Sequence, residues 1–146
     1  EFSITFPAPP KEKVFSYTGT DGVDADAVSA ELATADGFLK VEFVPIADSK
    51  VLTAMTDEHI RKGGLEYARH NGLTVSHVVV ERKGGSRVAT IRGTKILINK
   101  GKEVAVTYVN IVYYGSRSMM SVYTGAPSTS YPTQTISRFL ASVRKK

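Results

Sequence analysis

Three aspartates, Asp21, Asp24 and Asp26, lie within the six residues Asp-Gly-Val-Asp-Ala-Asp. Carboxylate oxygens this dense could hold a hard cation such as Ca²⁺, and a metal-assisted reaction would need such a site. The spacing is not that of an EF-hand loop, and no glutamate closes it, so the run also reads as a plain acidic turn. As an acid/base pair the same carboxylates would be exposed, with nothing to separate their pKa values. His59, His70 and His77 are the three histidines. His59 and His70 are eleven residues apart on a predicted helix, about three turns, which is too far to share a metal. The chain has no cysteine, which removes thiolate nucleophiles, disulfides and Cys-ligated metal sites. No Gly-x-Ser-x-Gly elbow occurs, and neither Gly63-Gly64 nor Gly84-Gly85 sits in a strand-to-helix phosphate loop. No nucleophile, base and oxyanion donor can be named together, so the expectation is a non-catalytic protein without cofactor.

Two groupings suit binding. Arg82, Lys83, Arg87, Arg92, Lys95, Lys100 and Lys102 fall within 21 residues, against only Glu81 and Glu103. On adjacent strands and turns they would form a positive strip able to meet an acidic protein or an anionic surface. Nucleic acid is disfavoured, because the hairpin lacks aromatic side chains for base stacking. The same residues could equally guard an exposed sheet edge. Tyr108, Tyr113, Tyr114, Tyr123 and Tyr131 form the second grouping, which could line a small-molecule pocket or simply pack the sheet.

The elements that position these residues can be read from periodicity. Ser3–Phe6 alternates and stops at a proline-rich stretch, and Lys13–Thr18 has strand composition. Thr20–Ala25 is turn chemistry. Val28–Thr34 and Phe38–Ile46 flank Asp36-Gly37 as a hairpin, with Leu39, Val41 and Phe43 on the core face. Thr56–Asn71 reads as a helix capped by Thr56, with Ile60, Gly64, Tyr67, Ala68 and Asn71 in one stripe. Gly63-Gly64 weakens this helix unless it packs closely on a sheet. Leu73–Arg82, Arg87–Asn99, Glu103–Tyr114 and Ser118–Thr124, separated by short glycine-containing loops, predict a four-stranded antiparallel meander. Both faces of Glu103–Tyr114 are apolar, which places it inside the sheet, and Gly93 marks a bulge. Pro132 opens a last helix whose Ile136, Phe139, Leu140 and Val143 share a stripe. Arg144-Lys-Lys146 is expected to close it.

The 146 residues suit a single domain, 1–146, with Glu1-Phe2 or Glu1 alone set aside as a possible remnant. The 42% apolar and 23% charged composition is globular, and no apolar run is long enough to cross a bilayer. The net charge of +5 hides an asymmetry: residues 1–60 hold 4 Lys/Arg against 11 Asp/Glu, and residues 61–146 hold 15 against 3. The expected fold is α+β, with an antiparallel sheet of about six to seven strands between two main helices.

In the order of its features, the chain resembles the PsbP-like α/β/α sandwich family. The resemblance rests on Phe2-Ser-Ile-Thr-Phe-Pro7, then a hairpin and a helix. It continues through a glycine-punctuated meander carrying Tyr113-Tyr114 and Met119–Tyr123, and a terminal helix with Phe139-Leu-Ala-Ser-Val143. That fold occurs in the extrinsic subunit of the oxygen-evolving photosystem, in bacterial exported proteins and in a Ran-binding import factor. The resemblance implies a non-catalytic binding or assembly module, periplasmic or secreted, and transfers no functional residue. The functional expectation is a module that engages an acidic protein or anionic surface through the basic hairpin. A small-molecule carrier with a tyrosine-lined cavity is the alternative, and a metal-assisted enzyme the third reading.

Overall fold

The computed structural model describes residues 1–19 and 22–146. Its elements are β1 (Phe2–Ser3), β2 (Lys11–Thr18), β3 (Asp24–Thr34), β4 (Gly37–Pro45), α1 (Ser49–Ala54), α2 (Asp57–His70), β5 (Thr74–Lys83), β6 (Ser86–Asn99), β7 (Lys102–Tyr114), β8 (Ser118–Pro127), α3 (Gln134–Ala141) and β9 (Arg144–Lys145). Seven strands form one antiparallel sheet in the order β2-β3-β4-β8-β7-β6-β5. This is the expected α+β architecture: β5 to β8 are the predicted meander, and β7 lies inside the sheet between β6 and β8.

The two faces follow from the period of two along each strand. On one face Leu39 and Val41 of β4 meet Met120 and Val122 of β8, and all four are fully buried. Ile136 and Phe139 of α3 close over them, with Phe2 beside them. On the other face α2 lies across β5 and β6, with Ile60 and Ala68 buried. Its N-terminus is capped as predicted, the Thr56 hydroxyl accepting from the His59 N–H at 3.2 Å.

The paired glycines of α2 do different things. A Cβ on Gly64 would lie 2.8 Å from Ile91 Cγ1 of β6, so this glycine is what lets the helix settle onto the sheet. Gly63 faces open space. Gly93 similarly lies 3.0 Å, measured from a built Cβ, from Leu73, and the irregularity in register falls opposite it, between Val75 and His77 of β5.

Several expectations are corrected. Ser3–Phe6 is not a strand of the sheet. The strand here is Phe2–Ser3, and it pairs with Arg144–Lys145 instead. Beyond it Ile4 and Phe6 turn into the core, with Phe6 against Phe139 at a ring separation of 4.9 Å. Ser142 fixes the crossing: its Oγ accepts from the Thr5 N–H and donates to the Phe139 carbonyl. The terminal helix therefore stops at Ala141 rather than running to Lys146. The Arg144 guanidinium still donates to the Ala141 carbonyl at the helix end, the favourable dipole placement expected of it, while its backbone pairs with β1. The segment Thr20–Ala25 overlaps β3, which already begins at Asp24. Helix α1, capped by the Asp48 carboxylate on the Lys50 N–H, was not foreseen in the sequence.

The chain start is pinned by charge. The Glu1 carboxylate accepts from the Ser116 and Arg117 N–H groups and from the Ser116 and Ser118 hydroxyls. The Ser116 hydroxyl, then the Arg117 N–H, hold its pKa down to about 2, against the opposing effect of burial.

Three outcomes follow. Gly63→Ala should stabilise the fold by roughly 1 kcal/mol, because it removes a helix-weakening glycine into open space. Gly64→Ala should destabilise it by roughly 1–3 kcal/mol through overpacking on Ile91. Urea unfolding of both variants checks the pair, and equal effects would contradict the packing. A depressed folded-state pKa gives Glu1 a stabilising contribution that is full above the ordinary value of 4.5 and lost as pH falls towards 2. The melting temperatures of wild type and Glu1→Gln should therefore differ at neutral pH and converge across that acid window.

Candidate functional site

On the α2 face, the helix covers β5 and β6 but leaves the sheet centre open. The result is a groove of about 360 Å³. Its floor comes from Phe38, Lys40 and Glu42 of β4, Tyr123 of β8, Tyr108 and Asn110 of β7, and Ile91 and Lys95 of β6. Tyr67 and Asn71 at the C-terminal end of α2, with Leu73, form the wall.

Register brings these residues together. Phe38 pairs with Gly125 and Tyr108 also pairs with Gly125, so both aromatic side chains flank a residue with no side chain. A Cβ on Gly125 would fall 2.3 Å from Phe38 Cε1 and 3.1 Å from Tyr108 Cδ1. The Phe38 and Tyr108 rings therefore lie over β8 and against each other, 5.6 Å apart and tilted by 47°. Tyr67 and Tyr123 form a second tilted pair at 5.8 Å. Lys95 Nζ lies 5.1 Å from the Tyr108 ring centre and Lys40 Nζ lies 5.3 Å from that of Tyr123, both within cation–π range.

The polar groups of the groove differ in how far they are used. Lys40 and Glu42 form an ion pair at 2.6 Å, and the Tyr123 hydroxyl donates to Glu42 at 3.0 Å. Burial raises the Tyr123 pKa, and the Glu42 carboxylate raises it further. Burial, then the Glu42 charge, does the same to Tyr67, and burial alone to Tyr108. All three hydroxyls are therefore protonated at neutral pH and serve as hydrogen-bond donors rather than bases. Asn110 is different. It is 8% exposed, and its Oδ1 is buried with no hydrogen-bond partner among the described residues.

The structure separates the predicted tyrosines. Tyr108 and Tyr123 line the groove, and Tyr67 joins them from α2. Tyr113 faces the α3 side, its ring 5.6 Å from that of Phe2 and tilted by 47°. Tyr131 shares a hydrogen bond with Thr124 at 2.8 Å. Tyr114 lies in a separate cleft, where burial pushes its pKa up to about 12 against the opposing charge of Arg87.

The basic residues are scattered as well. Arg82 and Arg87 face each other across β5 and β6 and line that cleft, about 490 Å³, with Lys145. Arg87 is already engaged, donating to the Met55 carbonyl and lying 3.5 Å from Asp57. Lys83 is paired with Glu81 at 2.7 Å. Arg92 points to the opposite face, 5.4 Å from the Tyr131 ring. Lys100 and Lys102 are at the far end of β6, roughly 40 Å of extended chain from Arg87. The linear run therefore does not fold into one positive strip.

Asp24 and Asp26 are both exposed on β3, and the Asp24 carboxylate accepts from the Thr18 hydroxyl at 2.7 Å. Asp21 lies outside the described residues. Among those that are described, no group of three or more His, Cys, Asp or Glu is placed to hold a metal.

Phe38, Glu42, Tyr67, Asn110 and Gly125 were not singled out by sequence reasoning as site residues. One signal existed: Asn110 interrupts the otherwise apolar face Val106, Tyr108, Val112, Tyr114 of an interior strand.

No family model matches the chain, and no curated protein matches it. Among solved structures, a 1.50 Å crystal structure from Bacteroides thetaiotaomicron VPI-5482 superposes with a TM-score of 0.51 at 10% sequence identity. The match covers 99% of this chain and 45% of that one, so this chain spans less than half the length of that protein. At this identity the likeness shows a shared fold alone.

Proposed function

We propose that this domain is a non-catalytic binding module that holds a small, largely apolar ligand in the groove between α2 and the sheet. The observation that carries this reading is Asn110 Oδ1. A buried carbonyl oxygen without a donor costs about 1–3 kcal/mol. Asn110 lines the groove, so a turn of its side chain would present this oxygen to a ligand N–H or O–H and recover that energy. Around it, Phe38, Tyr67, Tyr108 and Tyr123 offer aromatic surface, and the volume sits at the lower end of the range for small-molecule sites, roughly 300–1,000 Å³. Glu42 and Lys40 neutralise each other, whereas Lys95 has no carboxylate partner among the described residues and lies against the Tyr108 ring, so an anionic substituent would sit best beside Lys95. The ligand class is a flat aromatic molecule with one hydrogen-bond donor, small enough to fit between the Phe38–Tyr108 and Tyr67–Tyr123 pairs. The reading based on an acidic partner facing a single basic strip has less support, because Arg82, Lys95 and Lys102 occupy three separate places.

Asn110→Leu should raise the stability of the free protein by about 1–2 kcal/mol, since it replaces an unpartnered amide with an apolar group of similar shape. Denaturant titration checks this, and a loss of stability would mean that the amide is already satisfied. Ligand-observed NMR with small aromatic amides and aromatic carboxylates should find binders to wild type that are lost in Asn110→Leu and Tyr108→Ala and kept in Arg82→Glu. Binders indifferent to both groove substitutions would sink the assignment, and so would a library without binders.

A further inference from the structure

The hairpin of β6 and β7 is longer than the sheet. Strand β5 pairs with β6 only as far as Thr94, and β8 pairs with β7 only from Val106 onwards. Beyond those points, residues 96–99 and 102–105 pair with each other, Ile96 with Ala105 and Asn99 with Lys102. They form a two-stranded arm that projects roughly 15 Å past the sheet. Its turn, Lys100-Gly101, has φ values of 49° and 74°. Two consecutive positive φ values make the tight hairpin turn whose twist matches its strands, so the tip is narrow and extended.

The arm is apolar where soluble strands are normally polar. Ile96 is 58% exposed, Leu97 39% and Ile98 69%. Alternation puts Ile96 and Ile98 on one face, and Leu97 with Val104 on the other. Three lysines surround these residues: Lys95 at the base, and Lys100 and Lys102 at the tip, with Glu103 the single acid.

We infer that this arm is a membrane anchor that inserts its aliphatic tip into the interface of an anionic bilayer. Two features select this occupant. A blade that is apolar on both faces is only half covered when a protein surface docks on one side, whereas a lipid interface surrounds it. Lys100 and Lys102 at the tip are complementary to anionic headgroups, and their long side chains reach back to the headgroup level when the arm enters the interface. Depth is limited by the backbone. Beyond Ala105, whose carbonyl accepts from the Ser128 N–H at 2.8 Å, the outer edges of the arm carry N–H and C=O groups unpaired among the described residues, which can be tolerated at the hydrated headgroup boundary but not in the hydrocarbon. Lys95 belongs to the groove as well, but the residues that carry this inference, Ile96–Lys102, do not line it, so the two readings can be tested separately.

The chain has no tryptophan, so Ile98→Trp supplies a single reporter at the tip. Vesicles of equal parts phosphatidylserine and phosphatidylcholine should sediment the wild-type protein and shift the emission of the introduced indole to the blue, and phosphatidylcholine alone should do neither. Lys100→Gln and Lys102→Gln should each weaken vesicle binding about fivefold. Ile96→Ser combined with Ile98→Ser should abolish it. These positions are exposed, so unchanged circular dichroism and melting temperature verify that the variants fold. Three results would overturn the inference: no sedimentation with either vesicle, sedimentation unchanged by the double serine variant, or concentration-dependent self-association removed by that variant in a protein that ignores vesicles.

Discussion

The ladder between β4 and β8 joins the two halves of the molecule. It runs from Phe38 against Gly125 to Pro45 against Ser118 and connects the N-terminal hairpin, β3 and β4, to the C-terminal meander. Its inward residues, Leu39, Val41, Met120 and Val122, are the seat of α3. Its opposite face carries Phe38, Glu42 and Tyr123 and becomes the groove floor. A slip of one residue would exchange the two faces and expose the core. Two close approaches oppose such a slip: a Cβ on Gly37 would fall 2.3 Å from the Gly125 carbonyl, and one on Gly125 would strike the Phe38 ring. Register, core and groove therefore depend on the same pairing.

The groove then results from incomplete cover. Helix α2 is drawn onto β5 and β6 by Gly64, and its last turn brings Tyr67 and Asn71 to the border of the open area. The aromatic pairs fill the border without closing it. Stability would be better served by an apolar residue at position 110 than by a carboxamide whose oxygen has no partner among the described residues. Proteins tolerate such local costs mainly where a site needs them. The neighbouring Glu42, Lys40 and Tyr123 show the alternative, a polar cluster that satisfies itself.

Charge is distributed by the same geometry. Side chains alternate across a strand, so Arg92 and Lys95 of one strand reach opposite faces, one beside Tyr131 and the other beside Tyr108. The length of β6 separates Arg87 from Lys100. Arg87 becomes an internal brace to the α1–α2 connection, while the lysines at the other end crown an aliphatic arm. The basic second half of the sequence thus serves at least three local environments.

The sequence by itself determined the elements with a local cause: the meander with its glycine turns, the Thr56-capped helix, the hairpin at Asp36, and the Leu39/Val41 core face. Periodicity of two or of 3.6 is written in neighbouring residues, and caps and turns need only a few positions. Tertiary structure decided everything that depends on distant partners. It ended the last helix at Ala141, because β1 competes for Arg144 and Lys145 across the whole chain length. It gathered Phe38, Tyr67, Tyr108 and Asn110, which are far apart in sequence, and it dispersed the basic run, which is contiguous. Linear proximity in a strand becomes alternation between faces and separation along an axis. Proximity in the fold is set by strand register, and no local pattern records that register.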